Sequence, residues 1–388
     1  MHALISKSAA VYVHWPFCLS KCPYCDFNSH VRESIDEDAM GAALLSEIDH
    51  YAALVGKRRI RSIFFGGGTP SLMPAKVVEA VIDHISKKFA IQPDIEITLE
   101  ANPTSVEADK FKDFSAAGVN RISLGIQALN DCDLKALGRE HSAKEALAAI
   151  ELSQRYFKRS NFDLIYARMG QSINDWQNEL EKAFDFANGH LSLYQLTIEQ
   201  GTPFYGQWRQ GNLIVPDEDC SAEMYELTNQ MCAQMGYPAY EISNYATPGQ
   251  ESKHNLTYWN YGDYIGIGAG AHGRITIGDQ TYATEQNKKP ETWLKAVGQQ
   301  GHATKIMTPL DQTNMAEEMI MMGLRLTDGI EKASFEKRIG GPISEFIQAE
   351  QVAQLISQGF FSEDCSDRLQ LSEKGRPLLN QILGQILV

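Results

Sequence analysis

Three cysteines crowd into one short stretch, Cys18-x3-Cys22-x2-Cys25, out of seven in 388 residues. Chance would place this spacing in about 0.002 of chains with so few cysteines, so the spacing is a chemical signal. Three thiolates in a tight loop can hold three irons of a four-iron, four-sulfur cluster and leave the fourth open to an outside ligand. A structural zinc site is the other chemistry this spacing allows, with His14 or His30 as the fourth protein donor that such a site requires.

Other reactive types follow at intervals. Gly66-Gly67-Gly68-Thr69-Pro70 offers bare backbone whose N–H groups suit a carboxylate or phosphate, although a tight turn fixed by Pro70 would look the same. Glu100, in Glu100-Ala-Asn102-Pro103, ends an apolar run and needs a partner: a ribose hydroxyl, an ammonium, a helix N-terminus or Arg121. Gln127 and Arg139 bring an amide and a guanidinium, groups that bind carboxylates. Cys220 and Cys232 fall at helical positions where thiols pack as small hydrophobes, and Met231, Met235 and Met319-Ile-Met-Met322 read as core filling.

Such groups need a scaffold that brings them together. From Ala10 to about Thr197, short β-rich runs alternate with longer amphipathic stretches, which predicts repeated βα units and a parallel sheet. The six strand candidates are Val11–Trp15, Ser62–Phe65, Asp94–Leu99, Arg121–Leu124, Phe162–Ile165 and Leu191–Leu196. Helices are expected over Asp36–Leu54, Lys76–Phe89, Val106–Ala117, Ala143–Phe157 and Ile173–Ala187, with Ser105 and Ser172 as N-caps and Gly118 as a closing glycine. The fold expected is α/β, an incomplete six-unit TIM-like barrel, whose strand C-termini carry reactive loops to one mouth. Every motif above, with Asp163–Tyr166 and Gln195–Glu199, follows such a strand.

A further helix is expected over Pro216–Gly236, so residues 1–236 form the barrel core. Residues 237–305, rich in Gly, Tyr, Asn and His, read as a loop-rich segment packing on it, and 306–388 as a small helical, winged-helix-like domain. Acids outnumber bases 49 to 35, a net charge of −14 that disfavours nucleic acid as a partner. No run of roughly 18 apolar residues occurs, and Met1 to Ala10 lacks a basic head with an apolar run. The expectation is a cytoplasmic protein without a transmembrane segment, its odd cysteine count favouring reduced thiols and a metal role.

The stretches Tyr12-Val-His-Trp-Pro-Phe-Cys18, Cys22-Pro-Tyr-Cys25, Gly66-Gly-Gly-Thr-Pro70 and Leu137-Gly-Arg-Glu-His141 resemble the radical SAM family across nearly the whole chain. Asn161-Phe-Asp-Leu-Ile-Tyr166, Gly201-Thr-Pro-Phe204, Glu241-Ile-Ser-Asn244 and His254-Asn-Leu-Thr-Tyr-Trp259 resemble the branch around oxygen-independent coproporphyrinogen III oxidase, and within it the HemW-type heme chaperones. The resemblance implies that Cys18, Cys22 and Cys25 ligate a 4Fe-4S cluster whose open iron takes S-adenosylmethionine. It places the contacts to that cofactor on Tyr12, Gly67, Gly68, Thr69, Glu100, Gln127, Arg139 and Asp163. In the family an electron from the cluster cleaves the sulfonium and yields a deoxyadenosyl radical that abstracts hydrogen from substrate.

Two departures from the oxidase pattern put decarboxylation in doubt. Phe27 stands where the oxidase has a further Cys, and only 17 residues precede Cys18. Both agree with the chaperone subgroup, which implies heme and a heme-acceptor protein as partners, with flavodoxin or ferredoxin as donor if the cluster is reduced. His254, beside Tyr258 and Trp259, is then the candidate axial ligand, with His272 second and Cys220 or Cys232 third. Radical decarboxylation of coproporphyrinogen III, and radical modification of RNA or protein, are the alternative activities.

Overall fold

The computed structural model describes Ser8–Leu387; most of the Met1 to Ala10 reading therefore lies outside the described residues. Each of the six apolar runs falls in a strand, save that Leu196 lies one residue past the last: β1 (Ser8–Trp15), β2 (Arg59–Gly67), β3 (Ala90–Ala101), β4 (Arg121–Gln127), β5 (Arg159–Tyr166) and β6 (Gly189–Gln195). They pair in parallel in chain order, Val13 opposite Phe65 and Leu99 opposite Ile122, for example. Both faces of these strands are covered, which is why they read as near-continuous Val, Ile, Leu and Phe. Trp15, Ile63, Phe65, Leu99, Ile122 and Trp176 share one core, each fully buried.

Helices on the outer face begin where side chains satisfy their first free N–H groups. Ser142 and Ser172 form reciprocal capping boxes with Glu145 and Asp175. Ser105 does not cap: Thr104 does, one residue earlier. The single helix expected over Val106–Ala117 is two, Ser105–Ala108 and Phe111–Ala116, interrupted at Asp109–Lys110; within the first, Glu107 turns inward to accept from Ser71 and from the Asn102 amide.

The segment 237–305 is not mainly loop. It supplies β7 (Asn244–Ala246), β8 (Asp263–Ile267), β9 (His272–Ile277), β10 (Gln280–Gln286) and, across its expected end, β11 (Thr304–Pro309). The complete sheet runs β11-β10-β9-β8-β1-β2-β3-β4-β5-β6-β7. Strand β8 lies parallel to β1, with Ile265 opposite Val11, so the half-barrel is extended from its first strand while β7 closes the other side in antiparallel fashion. Gly266 hides this strand in the sequence, and the fold needs it: a Cβ there would sit 2.0 Å from the His272 carbonyl oxygen.

After β11 come the helices Gln312–Gly323, Lys332–Ile339, Ala349–Ser357 and Leu379–Ile386, with a two-stranded ladder between Ile330–Glu331 and Arg368–Leu369. They enclose a second core around Ile320, Phe335, Phe361 and Ile386, which Tyr261 joins from the sheet side. Glu318 fixes the contact: it receives a fork of hydrogen bonds from Arg274 (2.7 and 2.9 Å) and one from the Tyr261 hydroxyl (2.7 Å). Among the described residues no helix is long and apolar enough to cross a membrane.

Candidate functional site

The three thiols ride on the loop after β1, and neighbouring loops hold that loop in place. Pro23 accepts from the Phe204 amide (3.0 Å) and Tyr24 packs on the Phe204 ring, so the Gly201-Thr-Pro-Phe204 motif works as a buttress. Thr69 donates through its amide to the Phe17 carbonyl (2.8 Å) and through its hydroxyl to the Cys18 sulfur (3.4 Å). Gly68 permits this contact, because a Cβ there would meet the Phe17 carbonyl oxygen at 2.6 Å. From the Leu137–His141 motif, Arg139 donates to the Cys22 sulfur (3.4 Å) and to the Gly125 carbonyl (2.8 Å).

The donor set fits the cluster inferred from the sequence. All three thiols are free and half-buried, none in a disulfide. Burial pushes the Cys18 and Cys25 thiols up, while Thr69 and Lys21 pull the other way, so metal loading must drive proton release. Arg139 and the Thr69 hydroxyl already stand as donors to sulfur, the contacts that stabilise thiolate. Among the described residues no three His, Cys, Asp or Glu converge as a single-ion site. His14 is committed elsewhere: its Nε2 donates to the Asn28 carbonyl (2.9 Å), so its Nδ1 accepts from the Tyr12 hydroxyl (3.0 Å). His30 Nε2 points at the Asn28 Oδ1 and the Lys288 carbonyl, both 3.3 Å.

Beside the loop opens a cavity of about 750 Å³, in the range of small-molecule sites. Of the eight positions assigned to cofactor contact, Tyr12, Gly67 and Glu100 line it. Gly68, Thr69, Gln127, Arg139 and Asp163 are not part of its lining. A Cβ on Gly125 would lie 3.0 Å from the Gln127 amide nitrogen and 3.5 Å from Arg139, so these two polar heads share one spot. Gln127 reaches it from φ 73°, a left-handed conformation that costs a non-glycine residue about 1–3 kcal/mol. Asp163 accepts from Asn161 (3.1 Å) and Ser123 (3.5 Å).

Among the described residues the Glu100 carboxylate accepts one bond, from the Gly67 amide (3.3 Å). Burial, then the neighbouring Asp163 carboxylate, push its carboxyl up to about 8, and burial raises Asp163 to about 6. Both folded values lie above their unfolded ones, so the folded chain holds protons that the unfolded chain has released. The stability this gives is present at low pH and is lost as pH rises towards about 8. The thermal midpoint of the ligand-free protein should fall between pH 6 and pH 8.5, and Glu100→Gln should flatten that slope. A cationic ligand beside Glu100 reverses the sign, favouring the carboxylate, so its affinity should rise over the same interval; calorimetry in two buffers reads the proton released.

The outer cavity wall holds residues that no motif marked: Tyr264, Arg274, Glu318 and Lys288. Phe27, in place of the oxidase's further Cys, lines it with 61% of its surface exposed. The heme-ligand candidate His254 lies behind Tyr258. It is 1% exposed, its Nδ1 is paired with the Ser62 hydroxyl (3.0 Å) and its Nε2 with the Tyr258 hydroxyl (2.5 Å), and its ring stacks on Phe64. Burial and Arg121 lower its pKa to about 3, so the ring stays neutral. Three other imidazoles do line the cavity, His14, His30 and His272. Cys232 is fully buried in the core, as Met319 nearly is; Met235 and Met321 are exposed, and Met322 reaches the cavity, so the core reading of these methionines holds only in part.

An incomplete parallel barrel with a three-cysteine loop at its mouth defines the radical SAM class: the Radical SAM superfamily model matches residues 12–183, and the HemN C-terminal domain model residues 310–378. The solved coproporphyrinogen III oxidase HemN of Escherichia coli shares the fold, with a TM-score of 0.82 over 98% of this chain and 90% of its own at 22% identity. The chain is 39% identical over 390 residues to radical S-adenosyl methionine domain-containing protein 1, mitochondrial, of Bos taurus, covering 98% of this chain and 88% of that one. To the heme chaperone HemW of Escherichia coli K12 it is 37% identical over 381 residues, 97% of this chain and 98% of that one. The chain belongs to the radical SAM superfamily and, within it, to the HemW-type group.

Proposed function

We propose that this protein binds heme and hands it to an acceptor protein, carrying on Cys18, Cys22 and Cys25 a 4Fe-4S cluster whose open iron takes S-adenosylmethionine. The observation that carries this reading is the cavity itself. One wall is the cluster loop and the Gly67–Glu100 floor; the other is aromatic, with Tyr258, Trp259 and Tyr264, and holds His272. Such a wall suits a flat macrocycle with one metal-directed ligand. The name of the Escherichia coli relative points the same way.

When bound, cluster and cofactor supply one-electron cleavage of a sulfonium. This chain's own residues would hold them: Thr69 and Arg139 donate to sulfur, the Gly67–Thr69 backbone and Arg139 meet a carboxylate, Glu100 and Asp163 meet an ammonium or ribose, and Tyr12 walls the site. An electron donor of the flavodoxin or ferredoxin kind belongs to the reading only if the cluster is reduced. Cytoplasmic residence belongs to it as well, since the three thiols must stay reduced.

Decarboxylation of coproporphyrinogen III is the second reading, favoured by the full-length fold shared with HemN. Against it stands Phe27 at the cavity wall. The two are separated on one anaerobically reconstituted sample. Heme titration should give a saturable Soret band, while coproporphyrinogen III should release no carbon dioxide. Turnover with carbon dioxide release overturns the chaperone reading.

A further inference from the structure

We propose that His272, through Nε2, is the axial ligand this protein offers to heme iron, with Glu285 receiving the Nδ1 proton; this rests on heme occupying the cavity. Four imidazoles stand in or beside the cavity, and their hydrogen bonds sort them. His14 spends both nitrogens, on Tyr12 and Asn28, and His254 spends both, on Ser62 and Tyr258, from a buried position behind the wall. His30 points Nε2 at two oxygens, which makes it the donor there and leaves only Nδ1 to ligate. In that geometry the ring's own Cβ stands next to the metal and crowds a porphyrin plane.

His272 differs on each count. It opens β9 on the cavity wall, is exposed, and its ring makes no hydrogen bond among the described residues. Its direct cross-strand neighbour on β10 is Glu285, which brings the two Cβ atoms to about 4.5–5.5 Å on the same face of the sheet. Glu285 is otherwise engaged only by Lys288 at 3.8 Å. A carboxylate on the second nitrogen is the usual support for a metal-bound imidazole, fixing the tautomer and raising its basicity. The lining fits as well: Tyr258 and Tyr264, edge to face at 4.5 Å, and Met322 line the same cavity as His272. The ring thus has an open approach, a free Nε2 and a carboxylate across the strand that a side-chain rotation can bring to Nδ1.

The test titrates the full chain with ferric heme and reads the Soret band in wild type and in His272→Ala, His254→Ala, His30→Ala and Glu285→Gln. Expected are at least a tenfold weaker affinity and a blue-shifted band for His272→Ala, a smaller shift for Glu285→Gln, and wild-type bands for the other two. Added imidazole should restore the wild-type band in His272→Ala, which it would not do for a structural defect. A wild-type spectrum in His272→Ala, or loss of the band in His254→Ala or His30→Ala with His272 intact, overturns the assignment. Absence of any saturable band in wild type defeats instead the heme reading on which it rests.

Discussion

Cys22→Ser should take the iron content after anaerobic reconstitution from about four per chain to near zero. Three thiolates are the fewest that can hold a cubane while leaving one iron open, and a serine hydroxyl, far less acidic than a thiol, does not replace one of them. Cys22 is also the sulfur that Arg139 addresses, at 3.4 Å, so its loss leaves a guanidinium whose Nε is already without a partner. Because the thiols are half-buried and support no disulfide, the variant should keep the wild-type thermal midpoint before reconstitution. Iron loss with the fold intact would separate ligation from misfolding. Zinc retained in place of iron by the wild type, or a full cluster in the variant, would overturn the assignment of the loop.

Glu96→Ala should destabilise the chain by about 3–5 kcal/mol, the usual cost of removing one partner from a buried ion pair. Glu96 is 2% exposed on β3 and is paired with Arg159 at 2.7 Å. Its carboxylate also accepts from the amides of Lys253 (3.2 Å) and His254 (3.0 Å) and from the Ser252 hydroxyl (3.4 Å), at the positive end of the helix Lys253–Trp259. One buried acid therefore ties the helix that carries Tyr258 and Trp259 to the barrel. Glu96→Gln, which keeps an acceptor, should lose less. Denaturant unfolding measures the difference, and amide exchange confined to 253–259 should accelerate first. Wild-type stability in Glu96→Ala would show that the helix is held by packing alone.

The reach of sequence reading differs from residue to residue. The six parallel strands were legible because burial on both faces leaves unbroken apolar runs, and Ser172 because a capping box is local chemistry. The inward turn of Glu107 was not, since it depends on Ser71 and Asn102, 36 and 5 residues away in the chain. Strand β8 was missed because a glycine needed for close approach dilutes its pattern. The Glu96 tie carries no motif; an acid within an apolar strand is the one local hint, and its partners Arg159, Lys253 and His254 lie far along the chain.

The residue types and their spacing alone determined the chemistry on offer: a three-thiol loop, a glycine turn, an acid, an amide and a guanidinium, each following a strand. Short-range order suffices there, because each βα unit carries its own loop to the same face. Only the tertiary structure decided which of two imidazoles, His254 or His272, meets the cavity. His254 and His272 look alike as letters, yet one is closed off by two hydrogen bonds and a stacked ring while the other faces open space beside a cross-strand carboxylate. Access and partnership are properties of what packs around a side chain, and those neighbours come from distant parts of the chain.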